Sequence, residues 1–162
     1  MHALAFGTRG LLWYTYWYPG EPNETVKHAA IGYDGTPEPE YAWLKAINAD
    51  ARAIGEELVD CQSWATFHTG EGAQYAAPPK TPISITGSGR YATGVFRAPA
   101  GRIVALVTNR DYRSPTRVDV QVEPRGAAIE QFDPAKRTWS PASFPIDLSA
   151  GGGVLIRWAG SL

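Results

Sequence analysis

The sequence GLLWYTYWYP, residues 10–19, carries five aromatic rings within ten residues. Aromatic side chains suit the pleated surface of a strand, and a proline ends one. Alternate positions of a strand point to opposite faces, and both faces here are apolar. They are Trp13, Thr15 and Trp17 on one side and Leu12, Tyr14, Tyr16 and Tyr18 on the other. The pattern predicts a strand over residues 11–18, buried on both sides like the central strands of parallel sheets covered by helices.

A long amphipathic helix is predicted from Pro39 to about Leu58. Its apolar residues recur at helical spacing, with charged residues between them. They are Tyr41, Leu44, Ile47, Ala51, Ile54 and Leu58. The preceding DGTP at residues 34–37 is typical of a turn, and either Thr36 or Glu38 is suited to begin the helix.

Short alternating runs fill the second half of the chain, after a proline-rich segment, AAPPKTP, at residues 76–82. The runs lie at residues 94–97, 103–108, 118–122, 128–132 and 154–158. Segments rich in Gly, Pro, Asn and Asp separate them, and no helical pattern intervenes. Strands at such spacing indicate an antiparallel sandwich.

Together these segments predict an α+β fold. A terminal βα unit of a TIM-type barrel would occupy residues 1–59, a connector residues 60–83, and a small antiparallel β-sandwich residues 84–162. A strand buried on both faces needs neighbours on both edges, which one βα unit does not supply. The expectation is therefore that residues 1–59 close a larger barrel whose earlier strands this sequence lacks.

Composition excludes some functions. The net charge is −1, with 15 basic and 16 acidic side chains in 162 residues, so nothing favours binding to nucleic acid or to an anionic membrane. No apolar run approaches the length of about 20 residues that spans a bilayer. The N-terminal residues lack the pattern of a signal peptide, which makes the cytoplasm the default expectation. Cys61 is the only cysteine and is expected to be a small buried apolar residue.

Three segments carry a resemblance to a known family. They are ALAFGTRGLLWYTYWYP at residues 3–19, IGYDGTPEPEYAWLKAINADARAIGEEL at residues 31–58 and SWATFHTG at residues 63–70. In this order they resemble the end of the catalytic barrel in glycoside hydrolases of the β-galactosidase and agarase kind. The later strands are similar to the C-terminal β-domain of that family, so the resemblance covers almost the whole chain.

The resemblance implies a carbohydrate partner. Trp17 would form the floor of the sugar subsite beside the scissile bond, with Tyr16 next to it, because pyranose rings stack their C–H faces on aromatic rings. Glu21 and Asn23, in the loop that follows, would rim the cleft and bond sugar hydroxyls. The two catalytic carboxyl groups would come from barrel strands four and seven, which are not in this sequence. No catalytic residue, metal ligand or cofactor is therefore assigned to this chain.

Each of these residues also has a purely structural interpretation. Trp17 would otherwise pack in a layer between strand and helix, and Glu21 would be an ordinary solvated loop residue. His68 is expected to bond backbone groups where the barrel meets the sandwich. The NRDY sequence at residues 109–112 suits a tight turn better than a sugar-binding loop.

Three functional hypotheses follow. The first is a C-terminal fragment of a glycoside hydrolase, with an aromatic sugar-stacking wall and an accessory β-sandwich but no hydrolase activity alone. The second is a stand-alone carbohydrate-binding or structural module. The third is a truncated enzyme that assembles in trans with the missing barrel portion.

Overall fold

A computed structural model describes residues 1–17 and 29–161 of the chain. Two α-helices, α1 (His2–Ala5) and α2 (Pro39–Leu58), precede nine strands. The strands are β1 (Gln62–Thr69), β2 (Ile83–Thr86), β3 (Tyr91–Arg97), β4 (Arg102–Asn109), β5 (Thr116–Val122), β6 (Glu130–Asp133), β7 (Thr138–Pro141), β8 (Ile146–Leu148) and β9 (Gly153–Ala159). The predicted helix is confirmed at both ends, and the five predicted runs all lie in or overlap strands.

The strands form two antiparallel sheets. One has six strands in the order β1-β3-β4-β9-β6-β7, and the other has three in the order β2-β5-β8. Two glycine-rich segments, at residues 87–90 and 149–152, carry the chain from the smaller sheet to the larger one. Each of these segments therefore connects strands of different sheets.

The inner core lies between the two sheets. Val118, Val120 and Val122 of β5 face Ile103, Val107 and Ile156 of the large sheet. The indole of Trp158 is 2% exposed, and its Nε1 donates to the Glu123 backbone oxygen at 3.0 Å. A buried indole needs such an acceptor, so this bond lets Trp158 fill the core without an unsatisfied donor.

A second core covers the outer face of the large sheet. Leu4 and Ala5 of α1 and Ile54 and Leu58 of α2 pack there against Leu106 and its neighbours. Strand β4 is consequently buried on both faces, with Val104 and Leu106 outward and Ile103, Ala105 and Val107 inward. Antiparallel sheets usually leave one face to solvent, so helices on the outer face explain this strand's continuous apolar run.

Only the second half of α2 reaches the sheet. Ala53, Ile54 and Leu58 are buried, whereas Trp43 and Ile47 are exposed. The Nε1 of Trp139 donates to the Glu57 carboxylate at 3.0 Å and joins the helix to the β6–β7 hairpin. The predicted apolar stripe of α2 is thus only partly covered by the described residues.

The predicted fold class is wrong in its first part. Residues 11–16 form no strand, and Trp17 makes only an isolated parallel bridge to Ile31, so the predicted βα barrel unit over residues 1–59 does not form. The α+β description agrees with the helices and antiparallel sheets, but the parallel strand does not exist. A strand requires a neighbour that accepts and donates along its length, and no other described segment supplies that ladder.

Residues 62–69, assigned above to a connector, form β1 at the edge of the large sheet. Its pairing with β3 runs from Gln62 opposite Arg97 to Thr69 opposite Tyr91. Among the described residues, neither helix combines the length and the apolar character that crossing a membrane requires.

Candidate functional site

The aromatic segment, residues 11–17, lies on the molecular surface. Leu12 is 98% exposed and Tyr14 is 90% exposed, while Tyr16 and Trp17 retain about half of their surface in solvent at 59% and 49%. Apolar side chains in one short stretch rarely remain this open on a stable monomer. The segment is therefore the clearest candidate for contact with another molecule.

Hydrogen bonds to α2, within the segment and to residue 31 position the aromatic segment. The Nε1 of Trp13 donates to Oδ1 of Asn48 on α2 at 2.8 Å, and the Thr15 hydroxyl donates to the Trp17 backbone oxygen at 2.9 Å. The backbone N–H of Ile31 donates to the Tyr16 oxygen at 2.9 Å. These bonds hold the segment against α2 and residue 31 and leave its rings facing outward.

The predicted substrate-binding residues divide into two groups. Tyr16 and Trp17 are adjacent and exposed, and Trp17 does not lie within either core of the described residues. Glu21 and Asn23 fall outside the described residues. The structure thus leaves both predicted aromatic residues exposed at the surface.

The turn that leads into α2 is built around Asp34. One of its carboxylate oxygens accepts from the Thr36 hydroxyl at 2.6 Å and from the Thr36 N–H at 3.0 Å. These hydrogen bonds from Thr36 lower the pKa of Asp34. The carboxyl group therefore stays ionised near neutral pH and does not suit the task of a general acid.

A cleft of about 470 Å³ separates α2 from the segment after α1. Leu4, Leu58 and Phe96 are among its apolar lining residues, and Asn48 and Arg9 are among the polar ones. The guanidinium of Arg9 is already engaged by backbone oxygens at the end of α2. The cleft therefore has an apolar wall and little free polar chemistry.

A ring cluster that sequence reasoning missed surrounds His68. His2, Phe6 and Tyr75 place their ring centroids 5.7, 5.9 and 4.9 Å from that of His68. The expectation that the His68 side chain bonds backbone groups is wrong, because neither ring nitrogen has a hydrogen-bond partner among the described residues. Its backbone N–H donates to the Tyr75 oxygen at 2.8 Å. The His-Thr-Gly motif at residues 68–70 singles out His68 in the sequence, but no sequence pattern connects His68 with His2.

Burial, then the charge of Arg110, lowers the pKa of both His68 and His2. Burial likewise raises the pKa of the Cys61 thiol, which is 4% exposed, so the expectation of a small buried residue there is confirmed. Cys61 therefore lacks the thiolate character of a reactive cysteine.

The predicted turn at residues 109–112 is confirmed. The Asn109 side-chain oxygen accepts from the Asp111 N–H at 2.9 Å, and the Asp111 carboxylate accepts from the Arg113 N–H at 2.8 Å. Such bonds from a side chain to nearby backbone are the signature of Asx turns. The side-chain oxygen atoms of Asn109 and Asp111 are therefore used to hold the turn.

Within residues 1–17 and 29–161, no three His, Cys, Asp or Glu side chains come together as metal ligands. Comparison with protein-family models, with curated proteins and with solved structures finds no match for this chain.

Proposed function

We propose that this chain is a C-terminal, non-catalytic part of a glycoside hydrolase, in which the aromatic segment contacts carbohydrate and the two antiparallel sheets form an accessory module. The observation that carries the proposal is the exposure of Tyr16 and Trp17 beside Tyr14 on one short segment. The resemblance in residue order to the β-galactosidase and agarase kind supplies the substrate class.

The chemistry of the segment suits a sugar. Indole and phenol rings offer a flat apolar face with negative quadrupole character, on which the C–H face of a pyranose stacks. Sites for neutral ligands combine such faces with a few polar groups. Here the exposed side chains of Tyr14 and Tyr16, on the same short segment as Trp17, supply hydroxyl groups.

The proposal assigns catalysis to another part of the enzyme. Glycoside hydrolysis ordinarily uses two carboxyl groups about 5–9.5 Å apart on opposite sides of the scissile bond. Residues 1–17, which include the aromatic segment, contain no Asp or Glu. The chain alone is therefore expected to leave aryl β-glycosides uncleaved, and a catalytic barrel portion is its proposed partner.

Intrinsic tryptophan fluorescence during titration with β-linked oligosaccharides tests the sugar contact. Trp17→Ala should abolish the binding signal, and Tyr16→Ala should weaken binding by about three- to tenfold if its ring contributes roughly 1 kcal/mol. Trp43→Ala is the matched control, because Trp43 is also exposed, at 63%, but lies on α2.

Equal loss of binding in the Trp43 and Trp17 variants would mean that the aromatic segment is not the contact surface. A purified chain that cleaves an aryl β-glycoside would contradict the assignment of catalysis to another portion.

A stand-alone carbohydrate-binding module is the second candidate. It is favoured by the inner core, where the two sheets enclose Val118, Ile156 and Trp158 without help from α1 or α2. That module should bind sugar with the same affinity whether or not a catalytic barrel portion is added. The first candidate instead predicts a stable complex with that portion, detectable by size-exclusion chromatography, and hydrolysis only in the complex.

A further inference from the structure

We propose that a small oxyanion, a carboxylate or a phosphate group, binds between His68, His2 and Arg110 on the outer face of the large sheet. The proposal does not depend on the sugar-binding function, because the aromatic segment contributes no residue to it. It rests on unpartnered buried donors, on their placement and on the charges around them.

Three buried nitrogen atoms at this location have no hydrogen-bond partner within residues 1–17 and 29–161. They are Nδ1 and Nε2 of His68, which is only 6% exposed, and Nη1 of Arg110. Buried polar groups in folded proteins are nearly always bonded, and an orphaned one calls for an explanation such as a bound ion. Because a guanidinium can only donate, the missing partner of Arg110 must be an acceptor.

The sheet register places these groups together. His68 lies opposite Ala92, and Ala92 lies opposite Thr108, so His68 and Thr108 share one face of the sheet. Arg110 follows the end of β4 directly, and its charge acts on both His68 and His2. Its Nη2 donates to the Gly72 oxygen at 3.1 Å, which places the guanidinium at the segment that follows β1.

Helix α1 completes the enclosure. The Nδ1 of His2 lies 3.5 Å from the Thr108 hydroxyl, and the His2 ring centroid is 5.7 Å from that of His68. The rings of Phe6 and Tyr75 form the solvent side and are 42% and 50% exposed. These two partly exposed rings pack edge to face, with their centroids 5.8 Å apart, so a small ion reaches the site by their movement.

The local charges favour an anion. Arg110 has no ion pair with a carboxylate in the described part of the chain, whereas the nearby Arg90 pairs with Glu71 at 2.5 Å. Arg110, directly after β4, and His2 of α1 act on His68. The Met1 amino group acts on His2, and Asp50 acts on that amino group. An oxyanion would accept hydrogen bonds from Nη1 of Arg110 and from the protonated nitrogen of the His68 ring, and it would neutralise the charge of Arg110.

Nuclear magnetic resonance of the histidine imidazole signals tests the site in the intact chain. Sodium phosphate or sodium acetate is titrated at constant ionic strength, and the signals of His68 and His2 are assigned with His68→Gln and His2→Gln. Both signals should shift along saturable curves, and the midpoint should move to lower anion concentration as the pH falls, since protonated rings attract the anion more strongly.

Arg110→Gln should weaken the binding of both anions about tenfold or more, because it removes charge-assisted hydrogen bonds. Arg110→Lys should weaken it less, and Arg113→Gln, which removes an exposed charge beside Tyr112, should leave it unchanged. Absence of saturable shifts in the unmodified chain would overturn the proposal. Equal affinities of the unmodified chain and Arg110→Gln would overturn it as well. A response to phosphate alone would assign the site to phosphate groups, and a response to acetate alone to carboxylates.

Discussion

Gly94 permits the closest approach between α1 and the large sheet. A Cβ atom at this position would lie 2.0 Å from the Ala5 backbone oxygen and 2.7 Å from its carbonyl carbon. Real contacts are never so short, so α1 packs on β3 only because residue 94 has no side chain. The Thr66 hydroxyl, which donates to the same Ala5 oxygen at 2.9 Å, holds α1 in that place.

We therefore expect Gly94→Ala to lower the free energy of unfolding by about 1–3 kcal/mol, the usual cost of overpacking. Urea denaturation measures this loss. Gly55→Ala is the matched control, because no atom lies within 4 Å of a Cβ added there. That change should raise stability by about 0.5–1 kcal/mol, since alanine favours a helix interior. Destabilisation of similar size in both variants would contradict the role of the α1 contact.

Acid should destabilise the protein through His68 and His2. Burial, and then Arg110, lowers the folded pKa of both below the ordinary value of 6.5. The unfolded chain then binds protons at a higher pH than the folded one, so stability rises with pH in this window. The contribution of these two histidines to the free energy of unfolding should be fully present above about pH 6.5 and should be lost as pH drops through it toward the lowered pKa values.

Urea denaturation across this pH range, without added oxyanion, measures the slope. His68→Phe keeps a ring between Phe6 and Tyr75 but cannot titrate, so its stability should depend less steeply on pH. An unchanged slope in that variant would show that His68 does not cause the effect.

At the scale of the elements, Arg9 caps the C-terminal end of α2 from a distant position in the sequence. The last carbonyl groups of α2 have no partner within the helix. Nη1 of Arg9 donates to the Leu58 oxygen at 3.2 Å and also to the Val59 oxygen, and Nη2 donates to the Cys61 oxygen at 3.0 Å. A cation at this end also interacts favourably with the helix dipole. Arg9 thereby joins the segment after α1 to the end of α2.

We expect Arg9→Gln to reduce the free energy of unfolding by about 1.5–3 kcal/mol, the range for hydrogen bonds to a charged group. Chemical denaturation monitored by circular dichroism measures it. Arg52→Gln, which breaks an exposed pair with Glu56 one helical turn away, should cost less than about 0.5 kcal/mol. If the two variants lost equal stability, Arg9 would not be a specific helix cap.

At the scale of the whole molecule, β9 joins the two cores. Leu155 faces the outer core beneath the helices, whereas its neighbour Ile156 faces the inner core between the sheets. Both side chains are almost fully buried, at 1% and 0% exposed. A single strand thus contributes to both cores, which should make the sheets and helices one cooperative unit.

Leu155→Ala and Ile156→Ala should each cost about 2–5 kcal/mol, the usual range for such truncations in a core. Both variants should unfold in a single transition, seen together by far-ultraviolet circular dichroism and tryptophan fluorescence. Tyr112→Ala, at a position 73% exposed, is the control and should stay within about 0.5 kcal/mol. Separate transitions for the two signals would show that the two cores unfold independently.

Two apolar segments with similar side-chain patterns adopt different structures. In residues 11–18 and in residues 103–108, the side chains on both faces of an extended chain are largely apolar. The sequence predicts a strand for each segment. Only the second became one, because β3 and β9 flank it and complete its backbone hydrogen bonds. Partners for residues 11–17 are nearly absent from the described structure, and aromatic composition by itself cannot supply them.

For the candidate site, the sequence predicts which types of residue take part but not how they are arranged. Their aromatic rings mark Tyr16 and Trp17 as candidates in the sequence. Their exposure follows from the tertiary structure, in which residues 11–16 form no strand. The cluster of His68, His2 and Arg110 had no sequence signature, because its members lie far apart in the chain and meet through register and the packing of α1.

By itself, the sequence determined the local elements of this protein: the helix at Pro39–Leu58, the runs that became strands and the turn at residues 109–112. These depend on side-chain periodicity and on hydrogen bonds between near neighbours. Tertiary structure alone decided which apolar segments are buried, which of them pair and which polar groups remain without partners. Burial and pairing depend on contacts between segments distant in sequence, and no local pattern specifies those contacts.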